Sequence, residues 1–267
     1  MNRCGWVFTS FVGVVLAGTS AKAGMLTANF NDPDGIDFVN FDSTFSTGET
    51  GGSDNGSGAS AAIIDATRTD TPGPGVDTYI PTNFQVFCVE IGQDIYVPQS
   101  STFANVVLLS TTQSPPYYTT DPGNDTGPVV FDNTRTANLE KLFGSFYPAP
   151  TDVEATDAFQ LALWKLAFDD DFSLTYDPSD PDQRMWVDPS NDPDPAVTAE
   201  AQSYLTAIAN DVNNALPEAQ LALLTDPTIQ DQLALIPVGA SPVPEPASAA
   251  LMLPAGMLLV RRRRATK

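Results

Sequence analysis

The amino-acid sequence predicts an α+β domain in which a strand-rich first half packs with helices from the second half. Two observations predict this class. Short stretches of alternating apolar residues, such as MLTANF and IDFVNF, fill much of the chain before residue 110. Apolar stripes at helical spacing appear from residue 138 onwards. Strands first and helices later are typical of α+β domains, although this order leaves the strand topology open.

The predicted strands follow one another through the first half. The segment NFQVFCVEIGQDIYV at 83–97 predicts a strand through Cys88 that is buried on both faces, because apolar residues occupy both alternating sets. STGETGGSDNGSGAS at 46–60 predicts a flexible loop. The other segments predicted to contain strands are 25–45, 61–66, 102–109 and 129–131.

Helices are predicted in the second half. The clearest covers 152–168, where Asp152 can cap the first turn and an apolar stripe runs along one side, with Gln160 beside it. A stripe from Val197 to Leu216 predicts a helix over 196–216. Shorter helical segments are predicted at 138–146, 217–224 and 229–235.

Composition excludes several classes of protein. Residues 24–240 hold five of the 12 basic and 32 of the 33 acidic residues, so this body repels phosphate backbones and we expect no nucleic-acid partner. The chain has no histidine, which excludes a Ser-His-Asp triad and a His-ligated zinc site. Its two cysteines are too few for a Cys-rich zinc cluster.

The first 23 residues have the layout of a secretory signal peptide. Arg3 gives a basic start, an apolar core follows, and Ala-Lys-Ala at 21–23 predicts cleavage after Ala23. The alternative is an N-terminal membrane anchor, for which the apolar run is short. Cleavage removes Cys4 and leaves Cys88 as the one cysteine of an exported protein, which is unusual because exported cysteines normally occur in disulfides.

The last 27 residues, 241–267, form a tail with three parts. Pro244-Glu245-Pro246 precedes a short apolar segment, and Arg261, Arg262, Arg263 and Arg264 follow as a membrane stop. This order resembles the PEP-CTERM sorting signal of exopolysaccharide-producing bacteria. The resemblance implies a membrane protease of the exosortase type as partner, transient membrane anchoring, and release to the cell surface or extracellular matrix. A plain C-terminal membrane helix is the alternative.

Two short motifs in residues 84–169 carry a second resemblance. Phe87-Cys88-Val89-Glu90 and Phe159-Gln160-Leu161-Ala162-Leu163-Trp164 resemble the two signatures of thioester domains in bacterial surface adhesins. In that family a strand cysteine and a helix glutamine form an internal thioester. The family usually has threonine where this chain has Phe159.

The residues fit that chemistry. A thiolate is the strongest nucleophile available here, and the apolar Phe87, Phe159 and Trp164 would shield a Cys88–Gln160 thioester from water. An amine-bearing surface or matrix ligand would then be captured in a single-use reaction, so we do not expect an enzyme. The alternatives are a buried structural cysteine and an ordinary helix glutamine.

An acidic, proline-rich loop spans 169–195. Flexible carboxylates suit Ca²⁺, and Asp177, Asp180 and Asp182 are the first candidate ligands. No EF-hand pattern is present, and a solvated loop without metal is the alternative. We expect no other cofactor.

The sequence therefore predicts an exported, acidic adhesion or biofilm-matrix protein with a thioester-type domain. One alternative is a non-reactive structural or carbohydrate-binding component of the exopolysaccharide matrix. Another is a hydrolase that uses paired carboxylates, for which no motif marks the pair.

Overall fold

The computed structural model describes residues 24–30, 37–43, 57–61, 63–71, 79–89, 99–109, 118–120, 129–149, 151–180, 183–190, 192, 194–226 and 229–237. These residues form a mixed structure of strands and three α-helices, as the α+β prediction required. Its centre is a closed antiparallel barrel of six strands in the order β1-β4-β5-β11-β10-β6. The barrel strands are β1 Gly24–Phe30, β4 Ile64–Arg68, β5 Asn83–Cys88, β6 Gln99–Leu109, β10 Gln220–Asp226 and β11 Ile229–Ile236.

The remaining strands form two small sheets. Their orders are β3-β2-β9 and β7-β8. The strands are β2 Asp37–Ser43, β3 Ser57–Ala61, β7 Tyr118–Thr120, β8 Val129–Phe131 and β9 Met185–Trp186. The end of the predicted loop at 46–60 is therefore strand β3.

The barrel interior is filled by alternate side chains. In β1, Leu26, Ala28 and Phe30 are buried while Met25 and Asn29 are exposed, as the period of two requires. Phe30 meets Phe103 of β6 edge-to-face, with ring centroids 5.8 Å apart. This contact packs β1, the first strand of the barrel, against β6, the strand that closes the barrel.

The helical prediction for 217–224 and 229–235 is wrong, because these segments are β10 and β11. They pair as an antiparallel hairpin, with Leu223 opposite Leu233, and β10 also pairs with β6. Short apolar runs such as QLALLTD do not separate a buried strand from a buried helix by their period. The barrel decides between them, because it buries both faces of these strands.

Three helices pack beside the barrel: α1 Asn133–Phe146, α2 Val153–Phe168 and α3 Pro195–Ala209. The predicted capping role of Asp152 is confirmed, since its carboxylate accepts from the Ala155 N–H. Helix α1 begins five residues before its predicted start, behind the N-cap Asp132. Helix α3 ends seven residues before its predicted end, and Val212 beyond it is 83% exposed.

Helix α2 is the central helix. Every residue from Thr156 to Phe168 is buried, so its polar residues are buried together with its apolar ones. It contacts α1 and α3 and strands β2, β3, β8 and β9. A helix enclosed on all sides explains why Gln160 lies in the interior, although the sequence placed it only beside an apolar stripe.

No helix in the described ranges is long and apolar enough to cross a membrane. The predicted signal peptide at 1–23 and the sorting tail at 241–267 lie outside the described residues.

Candidate functional site

Cys88 is the last residue of β5, and here the strand is in register with β11. The Val89 N–H donates to the Asp231 carbonyl of β11 at 3.0 Å. Backbone groups alternate in direction along an antiparallel strand, so the Cys88 carbonyl points away from β11, towards β4. Strand β4 begins at Ile64, opposite Val86, so β5 continues beyond the paired part of β4.

Two side chains of α2 meet this carbonyl. Gln160 donates from Nε2 to the Cys88 oxygen at 2.6 Å, and Trp164 donates from Nε1 to the same oxygen at 3.0 Å. The two donors are four residues apart and share one face of the helix. The hydrogen bond therefore joins the Gln160 amide to the backbone carbonyl of Cys88, four covalent bonds from the sulfur of that residue.

The Gln160 carbonyl oxygen is unusual. Gln160 is fully buried, and in the described part of the chain its Oε1 has no hydrogen-bond partner. Buried polar atoms are almost always hydrogen-bonded, and leaving one unpaired costs about 1–3 kcal/mol. The nitrogen of the amide therefore has a hydrogen-bond partner, the Cys88 carbonyl, whereas none of the described residues donates to its oxygen.

An aromatic cluster of four rings covers this region from the outer side of β5. Phe87 and Phe159, two of the residues predicted as shielding, have ring centroids 4.7 Å apart. Phe143 of α1 lies 4.9 Å from Phe159, and Tyr147 lies 5.7 Å from Phe87. Phe87, Phe143 and Phe159 are at most 2% exposed, so water is excluded on this side. The third predicted shield, Trp164, is fully buried and also acts as a hydrogen-bond donor.

A second glutamine contacts the sulfur itself. Gln232 of β11 lies directly opposite Cys88 in the strand register, and its Nε2 is 3.5 Å from Cys88 Sγ. Sequence reasoning missed Gln232 because its segment was interpreted as a helical turn. The alternation in IQDQLALI was the available signal, since a strand places Gln230 and Gln232 on one face.

A buried ion pair fixes the end of α2. Lys165 Nζ lies 2.6 Å from Asp169 Oδ2, 2.8 Å from Asp171 Oδ1 and 2.8 Å from the Met185 carbonyl. Asp169 also accepts from the backbone N–H groups of Arg184 and Met185. Burial raises the pKa of Asp169, although the lysine and these donors act in the opposite direction. The network anchors the acidic loop to the helix that carries Gln160.

In the described part of the chain, the candidate calcium ligands do not form a metal-binding group. Asp177 accepts from the N–H and hydroxyl of Ser179, a local turn whose hydrogen bonds lower the pKa of this exposed carboxyl. Asp180 donates its N–H to the Asp177 carbonyl, and Asp182 lies outside the described residues. Within the described ranges, no group of three or more acidic or cysteine side chains has a metal-binding arrangement.

A groove lined by both apolar and polar residues lies beside the aromatic cluster. It has a volume of about 500 Å³ and is lined by Asp65, Asn83, Gln85 and Tyr147, among others. The Tyr147 hydroxyl donates to Gln85 Oε1 at 3.0 Å, and Gln85 Nε2 donates to Asp65 Oδ1 at 3.0 Å. Burial raises the pKa of Tyr147 to about 12, so its hydroxyl stays protonated at neutral pH. Tyr147 thus joins the groove to the rings that cover the Cys88–Gln160 contact.

The chain matches no protein-family model, no curated protein and no solved structure. Functional conclusions therefore depend on the geometry around Cys88.

Proposed function

We propose that this protein forms an internal thioester between Cys88 and Gln160 and uses it to attach covalently to an amine-bearing ligand. The observation that carries the proposal is the 2.6 Å contact between the Gln160 amide and the Cys88 carbonyl, across 72 residues of sequence. Both residues are buried, and aromatic rings exclude water beside them. These are the conditions that an activated acyl group needs to survive.

The first step forms the thioester and releases ammonia. The Cys88 sulfur attacks Cδ of Gln160, the C–S bond forms and the C–N bond breaks. The thiol proton leaves with the nitrogen, so the products are a thioester and ammonia. The Gln160 nitrogen supports this step, because its hydrogen bond to the Cys88 carbonyl holds the amide at Cys88 before the attack.

Trp164 supports the product of that step. When ammonia leaves, the Cys88 carbonyl loses its Gln160 donor, and Trp164 Nε1 still donates to it. The carbonyl therefore does not become an unsatisfied buried group, which would cost about 1–3 kcal/mol.

The second step captures the ligand. A primary amine attacks the acyl carbon, a C–N bond forms and the C–S bond breaks. One proton of the amine passes to sulfur and restores the Cys88 thiol. The ligand remains joined to Gln160 through an amide, so each molecule reacts once.

The site of action follows from the two terminal signals. The protein is an exported cell-surface or matrix protein, sorted by an exosortase-type protease after transient membrane anchoring. The sequence features that support this are the A-x-A site at 21–23 and the three-part tail at 241–267.

Thiol labelling tests the reactive bond. The purified chain is unfolded and alkylated with and without prior methylamine, and peptide mapping separates Cys88 from Cys4. We expect Cys88 to be protected until methylamine opens the thioester, and to be labelled at once in Gln160→Met. Equal labelling of Cys88 in all three samples would overturn the proposal.

The groove favours a second candidate function, non-covalent binding of matrix carbohydrate. Amide, carboxylate and hydroxyl groups beside an aromatic ring suit a hydroxyl-rich ligand, and the volume is typical of ligand sites. Binding of exopolysaccharide fragments that survives Cys88→Ala but is lost in Asp65→Ala with Asn83→Ala would support this function. Binding that depends on Cys88 would count against it.

A further inference from the structure

Gln232 is placed to act on the sulfur of Cys88. It is fully buried, and its position opposite Cys88 is a pair without hydrogen bonds between the two backbones, in which side chains approach most closely. Its Nε2 donates to Cys88 Sγ at 3.5 Å and to the Gln230 carbonyl at 3.2 Å. The same nitrogen lies 3.4 Å from Gln230 Oε1, so the contacts with Gln230 hold Nε2 at its position beside the sulfur.

The two glutamines at Cys88 share an anomaly. Within the described residues, Gln232 Oε1, like Gln160 Oε1, is buried without a hydrogen-bond partner. Purely structural glutamines in a core normally have both ends hydrogen-bonded. Two amides that each keep a donor on Cys88 and an unpaired oxygen point to a role in the chemistry of that residue.

The chemistry needs such a donor. A thiol in an apolar interior resists ionisation because burial disfavours the charged form. The chain has no histidine that could form an imidazolium beside it. A hydrogen bond from an amide N–H favours the thiolate over the thiol.

We propose that Gln232 is the hydrogen-bond donor that stabilises the Cys88 thiolate, both when sulfur attacks Gln160 and when it leaves during amine capture. The proposal rests on the thioester function proposed above. In the first step the N–H of Gln232 supports the sulfur as its proton passes to the departing nitrogen. In the second it supports the sulfur as the C–S bond breaks, before the amine proton reaches it.

Other ionisable groups near Cys88 stay unchanged in the experiment. On the elements packed against β5 they are Asp65 and Arg68 of β4, Asp231 of β11, Glu154, Asp157 and Lys165 of α2, and Arg135, Glu140 and Lys141 of α1 with Tyr147 at its C-cap. Asp65 contacts Gln85, Arg68 pairs with Asp70, and Lys165 pairs with Asp169. A change at position 232 therefore isolates the contribution of the amide.

The test titrates the thiol in a chain that cannot form a thioester. The full chain carries Cys4→Ser, which leaves Cys88 as its one cysteine, and Gln160→Met. Thiolate absorbance in the ultraviolet is followed against pH with Gln232 intact and with Gln232→Met. We expect the substitution to lower the thiolate fraction about tenfold at a given pH, equivalent to about one pKa unit. Gln220→Met, at an exposed position of the adjacent strand β10, is the matched control and should leave the titration unchanged.

If Gln232→Met does not fold, Gln232→Glu replaces it in the titration, because it keeps the shape of the side chain. A carboxylate beside the sulfur repels the thiolate, so this variant should also lower the thiolate fraction. Unchanged titration in the folded variants would overturn the proposal.

Peptide mapping of the otherwise unsubstituted chain after methylamine treatment gives an independent result. Methylamine on Gln160 agrees with the donor role, whereas methylamine on Gln232 would make Gln232 the acyl partner and overturn it. Absence of a thioester would contradict the function proposed above. The titration would still test whether Gln232 stabilises the Cys88 thiolate, because it uses a chain that forms no thioester.

Discussion

The side-chain amide of Gln160 donates to the backbone carbonyl of Cys88 at 2.6 Å, and both groups lie in the interior between the barrel and helix α2. Strand β5 supplies a carbonyl beyond the paired part of β4, and helix α2 supplies two donors for it. The contact holds the Gln160 amide at the backbone of the residue that carries the thiol, beside the buried rings of Phe87 and Phe159.

Replacing Trp164 with phenylalanine should reduce the yield of thioester. The variant keeps an aromatic ring but removes the N–H that would remain on the Cys88 carbonyl after ammonia is lost, at a cost of about 1–3 kcal/mol. Intact mass measures the fraction of chains that have lost ammonia. Trp186→Phe is the control, because Trp186 stacks on Tyr176, where its ring is partly exposed. Equal fractions in the two variants would contradict the role of Trp164.

Phe159→Leu should make the thioester hydrolyse faster than in the unsubstituted chain. The smaller side chain breaks ring contacts with Phe87 and Phe143 and lets water approach the acyl carbon. Phe103→Leu removes a buried ring from the barrel instead, at a similar cost of about 1–3 kcal/mol. Hydrolysis is followed by mass at neutral pH. A rate that rises equally in both variants would mean that lost stability, and not lost shielding, exposes the bond.

Loss of the proton from the buried Glu140 carboxyl should lower the free energy of unfolding as pH rises towards neutrality. Burial, and to a smaller extent the carboxylate of Glu218, raises the pKa of Glu140 from 4.5 to about 7. Between these values the folded state holds a proton that the unfolded state has released, so the free energy of unfolding falls as pH rises. The loss is at most about 3 kcal/mol and is complete above pH 7.

Denaturant unfolding at several pH values measures this effect. Glu140→Gln should flatten the decline, whereas Glu154→Gln, at an exposed position in the first turn of α2, should not. A decline of the same slope in Glu140→Gln would show that another group causes it.

Lys165→Met should destabilise the fold by about 3–5 kcal/mol, because it leaves the buried carboxylate of Asp169 without its cation. Asp170→Asn breaks the more exposed pair between Asp170 and Arg135 and should cost less than about 1 kcal/mol. Thermal unfolding of the two variants compares the costs. Similar losses would contradict the interpretation of the Lys165 network as the anchor of the acidic loop.

Much of the site could be predicted from the sequence because its parts are local. The alternation around Cys88 indicates a strand buried on both faces, and the cap at Asp152 and the stripe after it indicate α2. The motifs predict a thioester between Cys88 and Gln160, and in the structure the Gln160 amide donates to the Cys88 backbone carbonyl. The thioester itself, and its shielding by Phe87 and Phe159, stay predictions, although these two rings contact each other.

The parts of the site that the sequence did not predict depend on how strands and helices pack in the tertiary structure. Gln232 reaches Cys88 only because β11 is a strand in register with β5, and its apolar run is equally compatible with a helix. Phe143 and Tyr147 join the aromatic cluster because α1 packs against β5, which no local pattern specifies. Trp164 was expected to shield, whereas its hydrogen bond depends on the position of the Cys88 carbonyl, which only the tertiary structure gives.

The intact mass of the purified chain, with and without methylamine, shows whether the Cys88–Gln160 thioester forms. We expect a mass lower than that of the sequence by one ammonia for each chain, then raised by one methylamine on Gln160 after treatment. The Cys88→Ala chain should show neither change. A full sequence mass with a freely alkylated Cys88 would contradict the account and leave a buried cysteine with a structural role.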